Sequence, residues 1–142
     1  MNLIDAIKPF EILSVINNHD YTSYDIADKT GISQPTISRL RNGKAKFERL
    51  SLEYSMWLQL YHDYKKDSKF KLIAWEEGKL QSVENFNTFK DLKEHLSNTN
   101  YVVGFVDIKW DSFDDAETPN DIKKILEKYD IDWWKLELIE YA

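Results

Sequence analysis

The sequence contains no cysteine. That removes disulfides, thiolate zinc sites, iron–sulfur clusters and cysteine nucleophiles together. Glycine and proline are scarce, four and three in 142 residues, which leaves no room for a flexible linker or a low-complexity tract. No apolar run approaches the roughly 18 residues a membrane span needs. The start, MNLIDAIKPF, lacks the basic opening and long apolar core of a secretory signal. A cytoplasmic protein without membrane contact is expected. Gly-rich phosphate loops and Gly-x-Ser-x-Gly elbows do not occur, and His19, His62 and His95 stand at no metal-ligand spacing. Asp111, Asp114, Asp115 and Glu117 share only composition with a cation loop, because the glycine and terminal glutamate of an EF-hand are missing. Neither an enzyme nor a metal or cofactor site is expected.

What is present is a globular composition, 42% hydrophobic and 31% charged. Twenty aromatic side chains suffice for two modest cores. The net charge of −6 is unevenly spread. Residues 1–69 hold ten lysines and arginines against nine acids, a net of +1, whereas residues 70–142 hold nine against sixteen, a net of −7. An acidic half repels phosphate, so contact with nucleic acid belongs to the first half.

Hydrophobic periodicity in the first half is helical. Leu3, Ile4, Ile7, Phe10, Ile12, Leu13 and Ile16 form one run, in which Pro9 marks either a kink or a helix start. Ser23 is the expected N-cap of a second helix, with Ile26 and Ala27 inward and Gly31 ending it in a left-handed conformation. A third helix opens at Pro35, buries Ile37 and Leu40, and closes at Asn42-Gly43. A small residue at Ala27 and a turn at Gly31 suit two helices crossing steeply over a short connection, the requirement of a helix–turn–helix. An ordinary helical hairpin has the same burial. The outer face of the third helix argues against that simpler reading: Ser33, Gln34, Thr36, Ser38, Arg39, Arg41 and Asn42 include no carboxylate in a chain rich in them. A fourth helix, capped by Ser51, carries Leu52, Met56, Leu60 and Tyr64 as a stripe that Trp57 and Tyr61 widen. Trp57 and Tyr61 are candidates for a two-fold interface, which would make the protein a homodimer.

After Lys69 the period changes to alternation. Strands are expected at 70–76 and 79–84 around a Glu77-Gly78 hairpin turn, then a helix capped by Thr88, a strand over 101–110, an acidic loop over 111–118, a helix from Pro119 and a strand over 133–141. The expected fold is two small domains: an all-α helix–turn–helix domain over 1–66, then an acidic α+β domain over 70–142. The second has the order β-β-α-β-α-β, a mainly antiparallel sheet with two helices on one side.

The stretch SYDIADKTGISQPTISRLRNGK, residues 23–44, resembles the helix–turn–helix of Cro-type phage repressors. The resemblance implies double-stranded DNA with a palindromic operator as partner of residues 1–66. It places Gln34, Pro35, Ser38 and Arg39 toward base edges, and Ser23, Thr36, Asn42 and Lys44 at phosphates. Proline at 35 departs from the commoner polar residue, which removes one direct base contact. Independently of the family, glutamine pairs with adenine and arginine with guanine, each giving about 1–3 kcal/mol of discrimination. Lys46 and Arg49, just beyond Lys44, extend the cationic track.

A second resemblance is one of layout. A repressor-type helix–turn–helix followed by an acidic, β-rich tail resembles type II-A anti-CRISPR proteins of bacterial mobile elements. It implies an autorepressing first domain and a second domain that binds and inhibits Cas9. The physical counterpart is the acidic face, with Asp111, Asp114, Asp115 and Glu117, which suits the basic channel of a guide-RNA nuclease or another basic-grooved protein. The alternative is a transcriptional repressor whose second domain senses a ligand or drives oligomerisation.

Overall fold

The computed structural model describes residues 7–98, 102–103, 106–107 and 113–141. Two compact units divide the chain at Lys65 and Lys66, with the short stretch Gly78–Leu80 grouped with the first.

The first unit is helical: α1 Pro9–Asn17, α2 Ser23–Lys29, α3 Gln34–Arg41, a 3-10 turn Phe47–Arg49, and α4 Leu52–Lys65. Pro9 starts α1, as a residue lacking an amide hydrogen can without cost at a helix N-terminus. The N-cap of α2 is Thr22, one residue earlier than expected; its hydroxyl accepts from the Asp25 amide at 3.0 Å. Ser33 caps α3 by accepting from the Thr36 amide at 3.4 Å, and Gly43, at φ +73°, ends the turn after it. Gly31 is not left-handed. The end of α2 is held instead by Thr30, which is fully buried; its hydroxyl donates to the Ile26 carbonyl at 2.6 Å and accepts from the Ile32 amide at 3.2 Å.

Ile12, Val15, Ile16, Ile26, Ile32, Ile37, Leu40, Leu58 and Tyr61 are all buried in this unit. Each contributes about 1.5–3 kcal/mol by leaving water. The buried face of α4 is centred on Leu58 and Tyr61, not on the expected Leu52 stripe, and Leu52 is 48% exposed. Apolar residues nearly encircle this helix, so spacing alone does not select a face. Phe10, expected inward, is exposed.

The elements after Lys65 are β1 Phe70–Glu76, β2 Lys79–Phe86, of which Lys79 and Leu80 group with the first unit, α5 Phe89–Asn98, β3 Val102–Val103, β4 Val106–Asp107, α6 Pro119–Glu127 and β5 Trp134–Glu140. Glu77 and Gly78, both at positive φ, form the tight β1–β2 connection. The sheet order is β2-β1-β5, with β1 and β5 antiparallel in the register Phe70↔Glu140 to Glu76↔Trp134. Alternation puts Phe70, Leu72 and Ala74 of β1 on one face with Trp134, Leu136 and Leu138 of β5. Leu92 and Leu96 of α5 and Ile122 and Leu126 of α6 join the same core, so both helices lie on that side as expected. The Trp134 indole, buried there, donates to Gln81 at 2.8 Å.

The strand expected over 101–110 is replaced, among the described residues, by two short strands that pair with each other, Val102↔Asp107 and Val103↔Val106.

Candidate nucleic-acid interface

Helix α3 buries Ile37 and Leu40 and leaves its other face toward solvent. Gln34, Pro35 and Arg39 are exposed, while Ser38 and Thr36 are half-buried. The Ser33 and Thr36 hydroxyls lie 2.8 Å apart, and the Arg39 guanidinium donates to Thr36 at 3.4 Å. One turn therefore carries an amide, hydroxyls and a guanidinium, the groups that bond base edges and phosphates. Asn42 caps the helix end, and Lys44, Lys46 and Arg49 are exposed beyond it. The Arg39 carbonyl accepts from the Lys44 and Ala45 amides at 2.9 and 3.1 Å, which folds this segment back against α3. An open groove of about 660 Å³ follows, bordered by Thr36, Lys44, Lys46, Arg49, Ser51 and Tyr54, with Glu53 as the acid at its rim.

Residues 11–53 match the model of the Cro/C1-type HTH DNA-binding domain. This segment is a helix–turn–helix DNA-binding domain. No curated protein matches the chain. The match runs from α1 to the start of α4, so it takes in α2, the turn after it and α3, and it supports a DNA-binding transcriptional regulator.

Arg41, expected on the outer face of α3, points the other way. Its guanidinium donates to the Ile16, Asn18 and Val15 carbonyls at 2.9, 3.1 and 3.4 Å and to the Ser23 hydroxyl at 3.3 Å. Two of these carbonyls also accept from backbone amides, Val15 from Asn18 at 3.4 Å and Asn18 from Tyr21 at 3.2 Å, and the guanidinium adds a second donor to each. Arg41 thus ties the end of α1 to the start of α2 and is held within the unit. Burial pushes its pKa down, partly offset by Tyr61. Ser23, assigned to a phosphate, is the first residue of α2, and its hydroxyl is the one Arg41 holds. The signal for Arg41 was its position: two residues after Arg39 it lies about 200° round the helix.

Trp57 and Tyr61, the expected two-fold interface, are engaged within the unit. Tyr61 is fully buried, donates to the Asp25 carboxylate, and meets Tyr21 edge-on at 5.5 Å. Trp57 is half-buried beside Gly31, with Tyr54 at 6.1 Å. A buried phenol offers no surface to a second copy.

In the second unit Asp114, Asp115 and Glu117 are exposed, held out by the buried Phe113 and Ala116 between and before them. Asp111 lies outside the described residues. The loop is pinned to α6 by a capping box: Thr118 accepts from the Asp121 amide, and the Asp121 carboxylate accepts from the Glu117 and Thr118 amides at 3.0 and 3.1 Å. Those amides hold the Asp121 carboxyl below its ordinary pKa. Among the described residues, no helix is long and apolar enough to cross a membrane.

Proposed function

We propose that the chain is an autorepressor whose α3 reads an operator through Gln34, Ser38 and Arg39, with Pro35 against the groove wall. Thr36, Asn42, Lys44 and Lys46 hold the flanking phosphates. One observation carries this reading: α3 turns outward a face with an exposed guanidinium and amide and without a carboxylate. Positive side chains continue past the helix end for a phosphate track to follow. The experiment is fluorescence anisotropy on the DNA upstream of the protein's own coding sequence. Arg39→Ala abolishes specific binding with the fold intact, and Lys44→Ala lowers the slope of log affinity against log salt by about one. Unchanged affinity in Arg39→Ala would sink the assignment. Binding as a homodimer to a palindromic site belongs to the same reading, with a surface other than Tyr61.

For the second unit we propose a binding role rather than catalysis: it docks on a basic groove and inhibits a Cas9-type nuclease. The exposed Asp114, Asp115 and Glu117 on a pinned loop, in a half of net charge −7, support it. Purified full-length protein added to Cas9 before and after guide RNA tests the step blocked. Reversing the three charges weakens inhibition if the loop makes the contact. No inhibition in either order removes the nuclease and favours the ligand-sensing or oligomerising alternative.

A further inference from the structure

We propose that the helical unit holds a zinc-type divalent cation between α1 and α4, ligated by Glu11, His62 and Asp63. One ligand atom from each lies within 4.8 Å of the other two. The His62 Nδ1 is 3.3 Å from Asp63 Oδ1 and 3.7 Å from Glu11 Oε1. A charge-assisted hydrogen bond is shorter, about 2.7–2.9 Å. The edge of a tetrahedron around an ion with bonds of about 2.0–2.1 Å is, by contrast, roughly 3.3 Å. The imidazole nitrogen is within long hydrogen-bond reach of Asp63, at about that edge length, and lies somewhat beyond it from Glu11, so a small closing movement of Glu11 would bring the three atoms around one ion.

A second side chain aims the set. Gln59, 6% exposed, donates from Nε2 to Glu11 Oε1 at 2.8 Å and to Asp63 Oδ1 at 3.3 Å. Its Oε1 accepts from the Lys8 amide at 2.8 Å, which locks the amide's orientation to the N-terminus of α1. Both carboxylates are thus oriented by one buried amide, the arrangement that second-sphere groups provide around metal ligands. His62 and Asp63 are neighbours on α4, and Glu11 comes from the first turn of α1. One imidazole and two carboxylates leave the fourth position to water, a donor set suited to zinc or cobalt rather than to calcium, which prefers oxygen alone. The three ligands are half-buried, so the ion has an entry path from solvent. Its occupancy would clamp α1 to α4.

The test uses the full chain stripped with chelator and titrated with Zn²⁺ by calorimetry, and with Co²⁺ by visible absorption. We expect one ion per chain, the absorption of tetrahedral cobalt, and a thermal midpoint raised by roughly 5 °C at saturating zinc. His62→Gln abolishes binding, and Glu11→Gln and Asp63→Asn each weaken it at least about tenfold. His95→Gln leaves it unchanged. Circular dichroism checks that each variant is folded; should His62→Gln unfold, the cobalt-shifted NMR resonances of the His62 ring in the unaltered chain decide the point. No binding at about 100 µM zinc, or binding that survives in folded His62→Gln, overturns the proposal.

Discussion

The indole of Trp57 fills the space that a Cβ on Gly31 would occupy. The requirement for glycine in the turn between α2 and α3 is therefore a close approach from α4, and not a left-handed backbone. Gly31→Ala forces the indole aside or shifts the turn, an overpacking cost of about 1–3 kcal/mol. In a Trp57→Leu background the same change costs less. Urea denaturation of the four chains of this double-mutant cycle measures the coupling, and equal costs in both backgrounds would show that the indole is not the obstacle.

Arg39 and Arg41 should separate cleanly. Arg41→Ala removes the side-chain donor from the Ile16 carbonyl at the half-buried end of α1 and lowers stability by about 1–3 kcal/mol. Arg39→Ala leaves the urea midpoint within experimental error, because its guanidinium is exposed and bonded to a hydroxyl on its own helix. On DNA the order inverts: Arg39→Ala loses specific binding, whereas Arg41→Ala keeps it wherever the fold persists. Lys at position 41 reaches fewer of the carbonyls and recovers part of the stability.

Asp25 makes the helical unit sensitive to acid. Burial raises its pKa, but the hydrogen bonds from Tyr61 and Lys29 and the charges of Lys29 and Lys65 outweigh burial and leave it below the ordinary value. A carboxyl with a depressed folded-state pKa contributes stability that is complete above its unfolded pKa, about 3.9, and is lost as pH falls through the lower folded value. Asp25→Asn should therefore be less stable than the parent at neutral pH and lose less on acidification from about pH 5 to pH 2. Tyr61→Phe removes one of the bonds that hold the carboxyl down, so the acid transition moves upward. Thermal midpoints across this range check both.

At the β1–β2 connection Glu77 adopts φ +52° beside Gly78 at +78°. Asparagine tolerates this conformation better than glutamate, and Asn-Gly is the preferred pair for such a turn. Glu77→Asn should stabilise the protein by roughly 0.5–1 kcal/mol, and Gly78→Ala should destabilise it by a comparable amount or more. Calorimetric melting of the two variants measures both signs.

Features made by residues close in sequence could be read without the structure. The closure of α3 at Asn42-Gly43, the Glu77-Gly78 hairpin and the helix start at Pro119 each depend on neighbours within a few positions. So did the acid-free outer face of α3, because helical geometry fixes which side chains share a face. The alternating core residues of β1 and β5 were likewise visible as a period of two.

Tertiary structure decided what depends on contacts between distant residues. Arg41 turned to the carbonyls of α1, Tyr61 went into the core, and Trp57 came to rest on Gly31. Glu11 met His62 and Asp63 only when α1 and α4 packed together. In each case the side chain had several chemically acceptable partners, and local sequence carries no term that ranks them. Packing does, because a buried guanidinium, phenol or amide must find a partner wherever the fold places it. The face of α4 was open for the same reason: apolar residues all round leave the choice to whichever neighbour arrives.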